Sequence, residues 1–306
     1  MVKPGRGRKR RAAPKPFPKN LIHLEACLEI VGVDFSGAKS DDRTWMARST
    51  LNQRGLALHE CRPIRRTELA EILAALPGGS VAALDFPFSV PQAFAHFWQP
   101  EATTMPHLWA AAAKMELARF LALRDEFVSR CGELKRRCDN RFPESYSCLH
   151  KANPNLVPMT FYGMQMLDPL WRVGCNVPPL PSRETGRAVL LEAMPGAALK
   201  ALNLPYKGYK RGSSAQLLRQ RILGGLEERS GVTIRNLSQF RDWCLLSDDC
   251  LDAIVAAVVA CLWATAPSVF WRPSLEGSWV ESGGSDAVAV QEGWMYAPVF
   301  LRSPSS

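Results

Sequence analysis

Hydrophobic and polar positions change period several times along the chain, and each change marks an element. "CLEIVGVDF" (27–35) has the apolar run of a buried strand and ends at Asp34 on the small-residue turn "SGAKS". "TWMARSTL" and "LALHECRPI" are strand-like runs flanking "NQRG", which predicts a hairpin. In "TELAEILAALPGG", Leu69, Ile72, Leu73 and Leu76 share one helical face. Thr67 is the expected N-cap, and Pro77 with two glycines ends the helix. "SVAALDFP" returns to strand and again finishes on an aspartate, Asp85, with Pro87 breaking the ladder just beyond it.

From Pro91 to Arg183 the pattern differs. "LWAAAAKMELARFLALRDEFVSRC" predicts one long helix, and the Pro- and Arg-rich stretch after it has weak periodicity. Residues 91–183 are therefore read as an insertion within a domain over 21–306. Regular elements resume with the strand "RAVLLEAMP", carrying Glu192, and the helices "GAALKALN" and "SSAQLLRQRILGGLEERS". "LSDDCLDAIVAAVVACLWATA" (246–266) predicts a buried helix with three aspartates at its mouth. "WVESGGSDAVAVQEGWMYAP" reads as a short C-terminal hairpin. This order describes a mixed sheet flanked by helices, the α/β class.

Composition adds little to that picture, but charge does. A chain of 306 residues, 47% hydrophobic and 22% charged, can bury a sizeable core. Of the formal net charge of +9, eight positive charges lie in residues 1–19, which contain no acid, so the body is close to neutral. Residues 1–20 thus read as a basic disordered tail, suited to phosphate backbones or simply solvated. Nine scattered cysteines without a Cys-x-x-Cys pair argue for reduced thiols. His23, Glu25 and Glu29 interrupt any secretory h-region, and the apolar run Ala253 to Ala264 is too short to span a bilayer. The expectation is a cytoplasmic protein without a membrane partner. Protein partners are not legible.

The acidic positions carry the chemistry. Asp34, Asp85 and Glu192 fall at or near the ends of separate strands, where ligands of open α/β sheets gather. Asp248 or Asp249 shares a helix face with Asp252, and Asp252 is in phase with Val255 and Val259, facing the core. A carboxylate there needs a cation, a hydrogen-bond partner or a proton. Several carboxylates brought together repel one another, and a hard divalent ion, Mg²⁺ or Mn²⁺, relieves that. Two such ions roughly 4 Å apart hydrolyse phosphodiesters in nucleases. Each acid also has a local reading: Asp248 and Asp249 as helix N-terminal charges, Asp34 and Asp85 as turn formers, and Glu192 as the partner of an insertion arginine.

"GVDFSGAK", "ALDFPFS", "LEAMPGAALKALNLPYKGYK", "DDCLDAIVAAVVA" and "EGWMYAP" together resemble the domain-of-unknown-function family 429. The resemblance spans roughly residues 29 to 298. Members are described as predicted nucleases, and the likeness implies a ribonuclease H-like fold: a mixed five-stranded sheet flanked by helices, with the helical insertion. It further implies that Asp34 is the first-strand aspartate of that fold, Asp85 the second acidic position, and Asp249 and Asp252 the last-helix acids. Glu192, Lys207 and Lys210 match positions typical of this family.

The leading expectation is a metal-dependent nuclease acting on DNA or RNA. Asp34 bridges two ions, Asp85 and Asp252 hold one each, and Asp249 or Glu192 orients water or completes a metal shell, Asp249 being counted among the metal ligands. Lys207, Lys210 and the amides of the turn at Ser36 and Gly37 hold phosphate. Phe161, Tyr162 and Trp171 are candidates for base stacking, with core packing the stronger reading. Two alternatives stand beside it. One is a nucleotide-binding phosphotransferase or hydrolase of the same fold, although Ala38 between Gly37 and Lys39 spoils a P-loop. The other is a catalytically silent nucleic-acid-binding protein.

Overall fold

In the computed structural model, which describes residues 27–183, 186–273 and 287–299, the strand-like runs form a mixed sheet. Its strands are β1 (Leu28–Asp34), β2 (Thr44–Asn52), β3 (Gly55–Ile64), β4 (Val81–Asp85), β5 (Val189–Glu192) and β6 (Ile234–Arg235). They lie in the order β5-β4-β1-β2-β3-β6. β2 is antiparallel to both β1 and β3, whereas β1, β4 and β5 run parallel, as do β3 and β6. The sheet is consistent with a ribonuclease H-like fold. It has six strands rather than the expected five because the two-residue β6, too short to show alternation, adds to the edge at β3.

Side-chain alternation assigns the two faces. Ile30, Val81, Ala83 and Leu191 point to one face, while Val31, Val33, Ala82, Leu84 and Leu190 point to the other. The first face is covered by α6 (Pro195–Ala201), α7 (Ala215–Ser230), α8 (Arg241–Leu246) and α9 (Asp248–Thr265). On the second lie α1 (Arg66–Ala75), α2 (Gln92–Trp98), α3 (Met105–Ala113), α4 (Leu117–Cys131) and α5 (Leu156–Arg172), with α10 (Ala287–Glu292) beside them.

The central helix α9 lies unusually close to the sheet. A Cβ on Gly32 would stand 2.1 Å from the Ala253 carbonyl oxygen and 2.1 Å from the Ala257 nitrogen, so only glycine lets this helix rest on β1. Because both obstacles are backbone, neither can yield without moving the helix. Gly32→Ala is expected to cost about 3 kcal/mol, the upper end of ordinary overpacking. It should also displace the helix that bears Asp252; denaturant unfolding measures the cost.

Several local expectations are corrected. Helix α1 begins at Arg66 rather than after Thr67, because the Asp41 carboxylate accepts from the Arg66 amide at 3.0 Å and does the capping from a distance. The long helix over 108–131 is two helices. The Gln165 amide donates to the Ala112 and Met115 carbonyls at 2.9 and 3.1 Å, satisfying the end of α3 and stabilising the break. The weakly periodic stretch holds α5, whose Phe161, Met164 and Leu167 are buried against the second face. At the C-terminus, Ala287 to Glu292 is helical, since the Gln291 amide donates to the Ala102 carbonyl at 2.6 Å and Glu292 accepts from the Gln92 amide at 2.7 Å. The expected glycine turn of that hairpin and the basic tail fall outside the described residues. All nine cysteines are free thiols, and among the described residues no helix is long and apolar enough to cross a membrane.

Candidate metal centre

The parallel register sets Asp34 directly beside Asp85 at the C-terminal ends of β1 and β4, and alternation turns both toward the face that α9 covers. Ser247 caps α9, its side chain accepting from the Cys250 amide. One turn on, the close approach at Gly32 delivers Asp252 to the same place. Asp34, Asp85 and Asp252 each offer an oxygen, and the three oxygens lie within 4.8 Å of one another. Asp252 is completely buried, whereas Asp34 and Asp85 keep an edge open to solvent. Asp249, the fourth expected ligand, stands near enough to Asp34 for their charges to interact, but it is not among the three acids whose oxygens converge.

Two residues on the loop between α6 and α7 hold the buried member. The Tyr209 hydroxyl donates to Asp252 Oδ1 at 2.9 Å, and Lys210 Nζ lies 2.6 Å from Oδ2. Lys210 thus supplies the counter-charge to Oδ2. Arg219 fixes this loop by donating to the Tyr209 carbonyl at 2.6 Å and to the Leu245 carbonyl, tying it to α8.

Crowded carboxylates in a desolvated place resist ionisation. Burial, opposed by Lys210 and reinforced by Asp252, Asp85 and Asp249, drives the Asp34 carboxyl well above its ordinary range. Burial likewise pushes Asp85 up to about 7, and Asp249 and Asp252 are also raised, chiefly by burial. Three carboxylate oxygens within 4.8 Å of one another fit a hard cation, so the triad can hold a metal ion.

The raised values fix a pH dependence. Unfolded, these acids titrate near 3.8; folded, Asp85 titrates near 7, so between those values the folded protein binds more protons than the unfolded chain. This contribution is full below the lower value and is lost as pH rises through the higher one. Metal-free protein should therefore lose thermal stability from about pH 4 to about pH 7. Because a cation competes with protons for the same oxygens, added Mg²⁺ should raise Tm far more at about pH 8 than at about pH 5.

Other expected site residues stand elsewhere. Glu192 pairs in register with Leu84 and so points to the opposite face from Asp34 and Asp85. Both of its oxygens accept from Arg136, at 2.8 and 2.5 Å, and Oε2 also accepts from the Phe88 amide at 2.9 Å. Arg136 in turn binds Asp139. Glu192 thus occupies a buried ion pair with an arginine from the segment between β4 and β5, its local reading from the sequence. In the turn after Asp34 the Ser36 amide donates to Thr44 Oγ1 and the Ala38 amide to Ser36 Oγ. Gly37 is buried against the start of α5, where a Cβ would stand 2.1 Å from the Asn155 carbonyl oxygen. Lys207 lies over the Tyr206 ring, exposed, while Lys210 reaches the cluster. Phe161 is core, Tyr162 lies beneath the Arg66 guanidinium, and Trp171 packs edge-on against Trp109.

Tyr209, Arg219 and Arg136 escaped the sequence reading. Tyr209 had a signal, since it lies inside the family-like "LPYKGYK" beside Lys210. Arg136 had none, because its partner Glu192 is 56 residues away.

A family model described as "Protein of unknown function (DUF429)" matches residues 32–270. No curated protein and no solved structure matches the chain.

Proposed function

We propose that this chain, which belongs to the DUF429 family of proteins of unknown function, is a metal-dependent nuclease that hydrolyses phosphodiester bonds of DNA or RNA with Mg²⁺ or Mn²⁺. The observation that carries the reading is the meeting of Asp34, Asp85 and Asp252, from two strand ends and one helix, at the edge where the sheet opens to ligands. Bound there, such an ion supplies Lewis-acid stabilisation of the phosphate and an acidified water.

The chain's own residues divide the remaining work. Asp34, flanked by Asp85 on the neighbouring strand and by Asp252 and Asp249 on the helix, would be the central ligand of a bound ion. Asp249, near Asp34 and partly exposed, would orient a water or hold its proton. Tyr209 fixes the carboxylate plane of Asp252. Lys210 neutralises the crowded acids, and its side chain, half exposed, is able to present an ammonium to a substrate phosphate. The basic stretch at 1–19 adds phosphate affinity without sequence preference. Nine unpaired thiols accord with a cytoplasmic protein.

The test is incubation of the purified full chain with single-stranded, duplex and branched DNA and RNA, in Mg²⁺, in Mn²⁺ and in EDTA. Cleavage in either metal that EDTA abolishes is expected. Absence of cleavage on every substrate with both ions overturns the reading. Hydrolysis of a nucleoside triphosphate with no cleavage of nucleic acid would identify a nucleotide hydrolase instead.

A further inference from the structure

We propose that Trp45 and Trp243 form a stacking platform for an unpaired base of the substrate, next to the phosphate held at the carboxylate cluster. This inference rests on the nuclease reading and specifies its substrate: nucleic acid with unpaired nucleotides at the cleavage point.

Trp45 is the cross-strand partner of Asp34 in the antiparallel β1–β2 ladder, and directly opposed residues share a face. Its ring packs on the core under α9, the face to which Asp34 turns. Trp243 approaches from α8, with ring centroids 6.3 Å apart and planes inclined at 53°. Three residues further on lies Leu246, on the same side of α8. These two are strongly exposed, Trp243 at 58% and Leu246 at 74%. Ser247 then leads straight into Asp248 and Asp249, so the apolar patch and the acidic mouth of α9 are adjacent in both sequence and space.

Single exposed apolar side chains need no explanation, but an open indole beside a second indole and a carboxylate cluster is a different arrangement. The cluster needs a polar, charged substrate, whereas the platform needs a flat apolar one. A nucleotide is both. The surroundings suit the rest of the strand: Arg43, two residues before Trp45, Arg241 at the start of α8, and Lys210 are exposed cations able to meet backbone phosphates. In a duplex the faces of a base are covered by its neighbours, so an indole reaches them only where bases are unpaired. The aromatic residues of the segment between β4 and β5 do not compete for this role, since Phe161 is buried and Tyr162 and Trp171 are covered by arginines.

Anisotropy with a labelled short single-stranded oligonucleotide, in Ca²⁺ to hold the complex uncut, provides the test. Trp243→Ala, at an exposed position that the fold tolerates, should weaken binding about 5- to 100-fold, and Trp243→Phe should restore most of it. With cleaved substrate the loss should appear in KM rather than kcat. An abasic nucleotide beside the mapped cleavage site should weaken binding to the unaltered protein and add nothing to the loss in Trp243→Ala. Unchanged affinity in Trp243→Ala, or a fully paired duplex bound as tightly as the single strand, overturns the platform while leaving metal-dependent cleavage standing. A change of oligomeric state in Trp243→Ala with unchanged affinity would make the patch a protein contact and also overturn it. Failure of the unaltered protein to bind or cut any nucleic acid removes the nuclease reading itself, and the platform with it.

Discussion

Asp34→Asn is expected to reduce metal-dependent cleavage by about 10³-fold or more while leaving the metal-free protein as stable as before, or more so. The rate loss follows from position. Asp34 is flanked by every other acid of the cluster, and replacing its carboxylate with an amide removes the ligand charge and one of its two oxygens. Metal-ion stabilisation of a phosphoryl transition state is worth several kcal/mol, and each 1.36 kcal/mol is about tenfold in rate. The stability follows from electrostatics. Burial and three neighbouring acids hold the Asp34 carboxyl well above its ordinary range, so near neutral pH its ionised form is disfavoured in the folded protein. An amide of the same shape removes that penalty. Initial rates in Mg²⁺ together with Tm in EDTA and in Mg²⁺ check both halves. Retained cleavage, or a Tm in EDTA that collapses as if the core were broken, contradicts the assignment.

The expected dissociation of activity from stability at Asp34 has the same origin as its legibility in the sequence. A strand that ends in aspartate, twice, together with a helix whose inward phase includes another, is a pattern that cation binding explains as a set, where turn or cap roles explain each acid only singly. The wide-spaced "GVDF" and "ALDF" and the phase of Asp252 needed only strand ends and helical periodicity. Glu192 needed more. It too ends a strand, but which face it takes depends on pairing with Leu84, and register is a property of two strands together. Ser36 and Gly37 suit phosphate binding by turn position alone, but Thr44 takes the Ser36 amide and α5 packs directly against Gly37. Lys207 and Lys210 are indistinguishable by composition; only the loop's path, pinned by Arg219, separates them. Helix α5 escaped because two prolines sit in it, Pro158 in its first turn and Pro169 near its end, and a propensity argument reads them as breakers. The exposed indole of Trp243 lay inside a short helix with no motif, and Asp34's cross-strand neighbour is known only once the hairpin register is known.

The ion pair that removes Glu192 from the cluster supplies the largest expected stability change. Arg136 is 1% exposed and spends its guanidinium on Asp139 through Nε and Nη2, on Glu192 through Nη1 and Nη2, and on the Glu292 carbonyl at 3.3 Å. Arg136→Met keeps much of the stem's volume but leaves two buried carboxylates without their cation. Removing one partner of a buried pair costs about 3–5 kcal/mol, most of it the penalty of the stranded charge. The sign with pH distinguishes this cause from lost packing. Burial already raises the Glu192 carboxyl, and Arg136 is the main influence holding it down. Without the arginine its folded value rises further above the unfolded one, so the variant's deficit should be larger at about pH 8 than at about pH 5, where a proton replaces the missing cation. Urea unfolding at the two pH values measures this, and a pH-independent deficit would point to packing instead. Glu192→Gln separates structure from chemistry at the same spot. It should lower stability, yet keep the Mg²⁺-dependent rise in Tm, because the oxygens that face the cation come from Asp34, Asp85 and Asp252 on the other side of the sheet. Loss of that rise in Glu192→Gln, with the fold intact, would return Glu192 to the metal site and require β5 to pair in a different register.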